Sequence, residues 1–353
     1  MSASPFDHPL LSALLGDEET QAQFSPEAEI GAMLAFEKAL AQAQAAEGVI
    51  PEEAAKAIGK ALDGFSPDYD DLRAGVARDG LIVPALVTQL RAAVGKPQAA
   101  HLHFGTTSQD LIDTSLALRL LPVLDGFDAR LAELAAALDA LNKRYGGIET
   151  MGHTRMQAAV PVTVSRKILS WRDPLERHRE RLAPIREAIA VLHFGGAAGT
   201  LEKLDAKAAT AIARRLAKQL GLATLPRARH SERDDQVALA SWLSMVSGSL
   251  GKMGQDIALL AQTEVGEIRL AGGGSSSAMP HKVNPVQAET LVALARFNAT
   301  LVGGMHQALV HEYERSGAMW TLEWMLLPQM CVATGTALRL AGELLPTISF
   351  RRP

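Results

Sequence analysis

The stretch Gly272-Gly273-Gly274-Ser275-Ser276-Ser277-Ala278-Met279-Pro280-His281-Lys282-Val283-Asn284-Pro285 separates two long segments that contain no proline. Consecutive glycines and serines cannot hold a helix against their own backbone freedom. Pro280 and Pro285 then bracket a stiff piece that carries His281, Lys282 and Asn284. An arm of small residues joined to a cation and an amide fits a catalytic lid. Its N–H groups and Lys282 can hold anionic oxygens. A plain interhelical linker is the competing reading, but linkers rarely place His, Lys and Asn between two prolines.

On either side the pattern is helical. Asp234 to Arg269 runs without proline and reads as one helix, as do Val286 to about Arg315 and Ala318 to Leu345. Leu111 to Arg144 sets Leu118, Leu121, Leu124, Leu131, Leu134, Leu138 and Leu141 on one stripe. Trp242, Leu243, Met245, Val246 and Leu250 cover a wide arc, which implies burial among several neighbours, other subunits included. Earlier in the chain, Ser25 and Pro26 mark a helix start, and further short helices follow from Pro51 and Pro84. No run alternates as a strand does. The fold class is therefore all-α, with an N-terminal helical domain over residues 1–110 and a long-helix bundle over 111–353 that carries the loop 272–285.

With 353 residues, 48% of them hydrophobic, the chain can bury sizeable cores. A net charge of −4 with no basic cluster argues against a nucleic-acid partner. No apolar run approaches the roughly 20 residues that span a bilayer, so no membrane partner is expected. Cys331 is the lone cysteine, set in an apolar run, and together with a start that lacks a signal-peptide pattern it suggests a cytoplasmic protein. His101 and His103 are the close histidine pair, but no Cys or acidic cluster supports them as metal ligands.

Two further segments carry chemistry. His103-Phe104-Gly105-Thr106-Thr107-Ser108-Gln109-Asp110 puts hydroxyls and an amide just before an apolar helix. Such donors suit a carboxylate, although Ser108 or Asp110 can equally act as an N-cap. Met151-Gly152-His153-Thr154-Arg155-Met156-Gln157 follows the Gly146-Gly147 break. Arg155 cannot serve as a neutral base, yet it suits a bidentate grip on a carboxylate.

Ser276 to Pro285 matches Ser-Ser-x-Met-Pro-x-Lys-x-Asn-Pro throughout and resembles the signature of the fumarase/aspartase superfamily. The segments at His103–Asp110 and Gly152–Gln157 resemble that family's other two shared regions. The resemblance implies an all-helical fold, no metal or organic cofactor, and a homotetramer whose active sites are shared between subunits. It also implies a third, C-terminal small domain, which is absent or truncated in a chain that stops at Pro353. The family's lyases usually hold a histidine after Thr154; Arg155 stands there, as in the cycloisomerase branch. That branch implies a small tricarboxylate substrate, internal carboxylate addition to a double bond, and a place in aromatic catabolism. Ser277 is implied as the proton donor. Lys282 and Asn284 would hold the carboxylate on which charge builds, and Thr107, Ser108, Arg155 and Arg233 the others. His103, Gln109, His153, Thr154, Gln157 and His281 complete the implied substrate contacts. An adenylosuccinate-type lyase is the nearest alternative, and Arg155 speaks against it. A catalytically silent relative is another, opposed by Ser277, Lys282 and Asn284 standing together.

Overall fold

A computed structural model describes residues 4–275, 278–279 and 282–351. The helices run α1 Ser12–Leu15, α2 Glu18–Ala22, α3 Pro26–Ala46, α4 Glu52–Asp63, α5 Tyr69–Asp79 and α6 Val83–Val94. They continue with α7 Ser108–Tyr145, α8 Val164–Ile189, α9 Ala206–Leu220, α10 Asp234–Leu260, α11 Val286–Gln307 and α12 Gly317–Leu344. Side-chain caps fix several starts. Ser25 accepts from the Ala28 N–H ahead of Pro26, Asp205 caps α9, and Ser316 caps α12. The sequence reading has no helix at α5; Asp68 starts it and a left-handed Gly80 ends it.

Two apolar cores result. The larger joins α7, α8, α10, α11 and α12 around Leu124, Trp171, Trp242, Leu250, Leu291 and Met330. Glycine lets α10 and α11 close up: a Cβ at Gly251 would lie 2.4 Å from that of Ala295, and one at Gly254 2.5 Å from the Ala288 carbonyl oxygen. The smaller core gathers Met33, Phe36, Ile58, Leu86 and Leu90, and draws in Ile212 and Leu216 of α9 and Trp320 of α12. We keep the division into residues 1–110 and 111–353 as a proposal, with α9 packed on the first unit.

Three expectations need correction. The helix expected from Val286 to about Arg315 ends at Gln307, and Arg315 lies in the link that follows. The helix expected over Asp234–Arg269 stops at Leu260. Gly266 turns left-handed at φ 59°, its N–H bonded to the Gln262 carbonyl at 2.7 Å. The chain then enters a short strand, β3 (Ile268–Leu270), antiparallel to β4 (Ile348–Phe350), which buries Ile268 and Phe350. Strands were also not expected at β1 (Glu149–Thr154) and β2 (Gln157–Thr163), which form an antiparallel hairpin. The otherwise all-α architecture stands. No helix among the described residues is long and apolar enough to cross a membrane.

Candidate functional site

The start of α7 is a densely bonded corner. Thr107 takes the N-cap position, and its N–H donates to Asp110 Oδ2 at 3.1 Å. Asp110 is fully buried and accepts more besides. Gly195 N–H reaches it at 2.8 Å, Gly196 N–H at 2.9 Å and Thr106 Oγ1 at 3.0 Å, and His230 Nε2 lies 2.7 Å away. A buried carboxylate needs that many partners. In return it fixes the glycine turn at 195–196, where a Cβ on Gly195 would meet the Ala228 Cβ at 2.4 Å.

Gln109 is also fully buried. Its Nε2 donates to the His230 carbonyl at 2.7 Å and to Asp113 Oδ2 at 3.1 Å. Its Oε1 accepts from Arg315 Nε at 2.8 Å, and Arg315 Nη2 donates to the Ala197 carbonyl at 3.1 Å. Beneath lies an ion cluster. Arg233 donates to Asp113 Oδ2 at 2.7 Å, and its Nε and Nη2 donate to Glu323 at 2.8 and 2.6 Å. Trp320 Nε1 donates to Asp113 as well, and His311 Nε2 lies 3.4 Å from Glu323. Burial alone would raise the Asp113 carboxyl, but the Arg233 charge, the neighbouring His193 and the hydrogen bonds from Arg233 and Gln109 together outweigh it and hold the group below the usual range. Burial would likewise loosen the proton on Arg233, and the charges and hydrogen bonds of Asp113 and Glu323 together reverse that. Burial pushes His193 beside this cluster down to about 4.

These contacts reassign two expected substrate contacts. Arg233 is 1% exposed and engaged on both sides by carboxylates. Gln109 has both ends of its amide engaged. Neither is open to a ligand within this chain. Thr107 and Ser108 remain partly exposed at the helix mouth. His103 sits there too, in the left-handed region at φ 62°, its Nδ1 held by the buried Glu37. Arg315, in the link between α11 and α12, is the cation that the sequence reading missed. It lies 206 residues from its partner Gln109, so no local spacing announces it.

The second segment is the β1–β2 hairpin, and none of residues 149–163 is buried. Thr154 pairs with Gln157, leaving Arg155 and Met156 as a two-residue turn with φ of 49° and 64°. His153, Thr154, Arg155 and Gln157 are all exposed. The hairpin overhangs a cleft of about 700 Å³ whose charged lining includes Arg166, Lys167, Lys252 and Asp256.

The third segment is the loop before α11. Its limbs meet at Gly274 and Asn284, whose backbones exchange bonds of 3.0 and 2.9 Å. A Cβ on Gly273 would strike Val283 Cγ1 at 2.5 Å, so glycine is what permits the closure. Lys282 is exposed and its N–H is bonded to the Met279 carbonyl at 3.0 Å. Ser277 and His281 lie outside the described residues.

The three segments do not meet in one chain. α7 has 38 residues and leads from the first segment toward the hairpin, a span of about 56 Å at 1.5 Å per residue. The glycine–serine loop belongs to the hairpin end. It follows the far end of α10, and Thr150 Oγ1 bonds Glu267 nearby at 2.6 Å.

A family model described as a lyase matches residues 16–297. The chain belongs to this lyase family. Among lyase-family relatives, the 3-carboxy-cis,cis-muconate cycloisomerase of Pseudomonas aeruginosa is 40% identical over 331 residues, covering 92% of this chain and 72% of that one. The crystal structure of the 3-carboxy-cis,cis-muconate lactonizing enzyme from Pseudomonas putida superposes with a TM-score of 0.91 at 36% identity, over 98% of this chain and 78% of that one. A fumarate lyase from Mesorhizobium sp. BNC1 superposes at 0.88 with 33% identity, over 95% of this chain and 76% of that one.

Proposed function

We propose that this lyase-family chain is a 3-carboxy-cis,cis-muconate cycloisomerase. The observation that carries the reading is its 40% identity to the Pseudomonas aeruginosa enzyme of that name over 92% of the chain. Arg155, an always-charged residue where the family's lyases keep histidine, points the same way. The reaction moves one carboxylate oxygen of the substrate onto a double bond of the same molecule. A C–O bond forms, the π electrons pass to the neighbouring carbon, and that carbon takes a proton to give 4-carboxymuconolactone. Ser277 is the proposed donor. Lys282 and Asn284 would hold the carboxylate that bears the developing charge. Arg155, Arg315, Thr107 and Ser108 would grip the rest, with His103, His153, Thr154, Gln157 and His281 around them.

The active unit is proposed to be a homotetramer with shared sites. Three features support this: segments about 56 Å apart along α7, a hairpin with no buried residue, and Met245 and Met325 left 45% and 61% exposed on bundle helices. A cytoplasmic location is proposed, consistent with the lone, fully buried Cys331.

The test is turnover of 3-carboxy-cis,cis-muconate, followed by its ultraviolet absorbance, beside adenylosuccinate as the competing substrate. Lactone formation alone supports the reading, and fumarate release from adenylosuccinate would replace it. Light scattering reporting an active monomer would end the shared-site proposal.

A further inference from the structure

We propose that Gln109 is a positioning residue that holds Arg315 in place while leaving its charge intact. The corner contains two arginines fixed in opposite ways. Arg233 is held by Asp113 and Glu323, two buried carboxylates, and its charge is cancelled inside the protein. Arg315 is held by the Gln109 amide oxygen and the Ala197 carbonyl, both neutral acceptors. A guanidinium carries five N–H donors in a planar fork. Two of them go to these partners, and the others remain for an anion. An arginine on a surface link would otherwise sample many rotamers and lose that freedom on binding. Anchoring on neutral oxygens removes that freedom without cancelling the field that a carboxylate substrate meets.

Only an amide satisfies this place. Gln109 must accept from Arg315 and donate to Asp113 and the His230 carbonyl at the same time. Glutamate would set a carboxylate against Asp113 and neutralise Arg315. The neighbouring Asp110 helps from a second direction, since its bonds to Gly195 and Gly196 fix the turn that presents the Ala197 carbonyl. The inference rests on the proposed function for its assay, so the test carries a second readout that does not depend on turnover.

The experiment is a double-mutant cycle of Gln109→Met and Arg315→Met in the full chain. It reads kcat/KM with 3-carboxy-cis,cis-muconate and the Kd for tricarballylate, a tricarboxylate that cannot lactonise. Gln109→Met is expected to lose about 10²-fold in kcat/KM, the scale of a misplaced binding group. Added to Arg315→Met it should cost less than about 3-fold more, because its effect passes through Arg315. Gln109→Glu should weaken tricarballylate at least as much as Gln109→Met. Losses that multiply in the double variant, or unchanged kcat/KM and Kd in Gln109→Met, would overturn the proposal. If Gln109→Met does not fold, Gln109→Asn runs the same cycle, its amide one methylene too short to reach. Coupled Kd values without wild-type turnover would retain this inference and sink the substrate assignment. A wild-type chain that neither turns over nor binds tricarballylate would sink both.

Discussion

The corner at the start of α7 and the β1–β2 hairpin carry two parts of one proposed site, and they are built in contrary ways. In the corner, Gln109, Asp110, Asp113 and Arg233 are buried and bonded to residues of their own chain. The hairpin has no buried residue, and its functional side chains stand at or beside a turn in the left-handed region. Arg155 and Met156 both hold the left-handed conformation that favours glycine or asparagine, as a two-residue hairpin turn requires. The corner is complete before assembly. In the proposed tetramer, the hairpin's surroundings would come from another copy. A change at Asp110, Asp113 or Arg233 should therefore register first in stability, and a change in the hairpin or loop in function.

The largest separation is expected at Ser277. Ser277→Ala should lower kcat by about 10²–10⁴-fold with KM little moved, while Ser275→Ala stays near wild type. Steady-state kinetics on both variants decides it. Equal losses would make the loop a lid without a proton donor. Next comes the corner. Arg233→Met leaves Asp113 and Glu323 buried without their cation and should cost about 3–5 kcal/mol of stability, read as a denaturation midpoint. A midpoint unchanged from wild type would mean the cluster is open to water.

Arg155→Met should do the reverse. Its denaturation midpoint should stay within error, and substrate binding should weaken by roughly 2–5 kcal/mol. Refolding Arg155→Met together with Lys282→Met should restore part of the activity if one site draws on different chains. No recovery would place both residues in the same chain's site.

The smallest effect is in pH. Burial holds His193 near 4, against an ordinary value near 6.5, so the unfolded chain binds the proton more readily in between. Stability should be full above about pH 6.5, fall as pH drops toward 4, and level off below. The total is on the order of 3 kcal/mol. His193→Leu should flatten that slope in thermal melts, and an unchanged slope would assign the loss to other groups, His178 first.

Much of the helical frame was legible because its signals are local. Ser25 with Pro26 and the leucine stripe of α7 each act within a few turns. The hairpin was not legible, since no residue of 149–163 is buried in this chain and so no face imposes alternation. The early stop of α10 turned on Gly266 and on a strand partner some 80 residues away at Ser349. At the proposed site, motif position picks out segments but not which way each side chain faces. Gln109 lies within the first segment and Arg233 outside all three, yet both point into the protein. Arg315, which completes the corner, lies 206 residues from Gln109.

The length of α7 has a consequence for how this protein can change over generations. One helix separates two segments that, in the proposed tetramer, would each meet their counterparts on neighbouring copies. Adding four residues to it would push the hairpin outward by about 6 Å and swing it by about 40°. Adding seven would shift it by about 10 Å with little rotation. Neither leaves both ends in register. Insertions and deletions should therefore be tolerated around α5 and the turns near residue 200 and be lethal between Ser108 and Tyr145. In that assembly the helix would act as a ruler, its count of residues mattering as much as their identity.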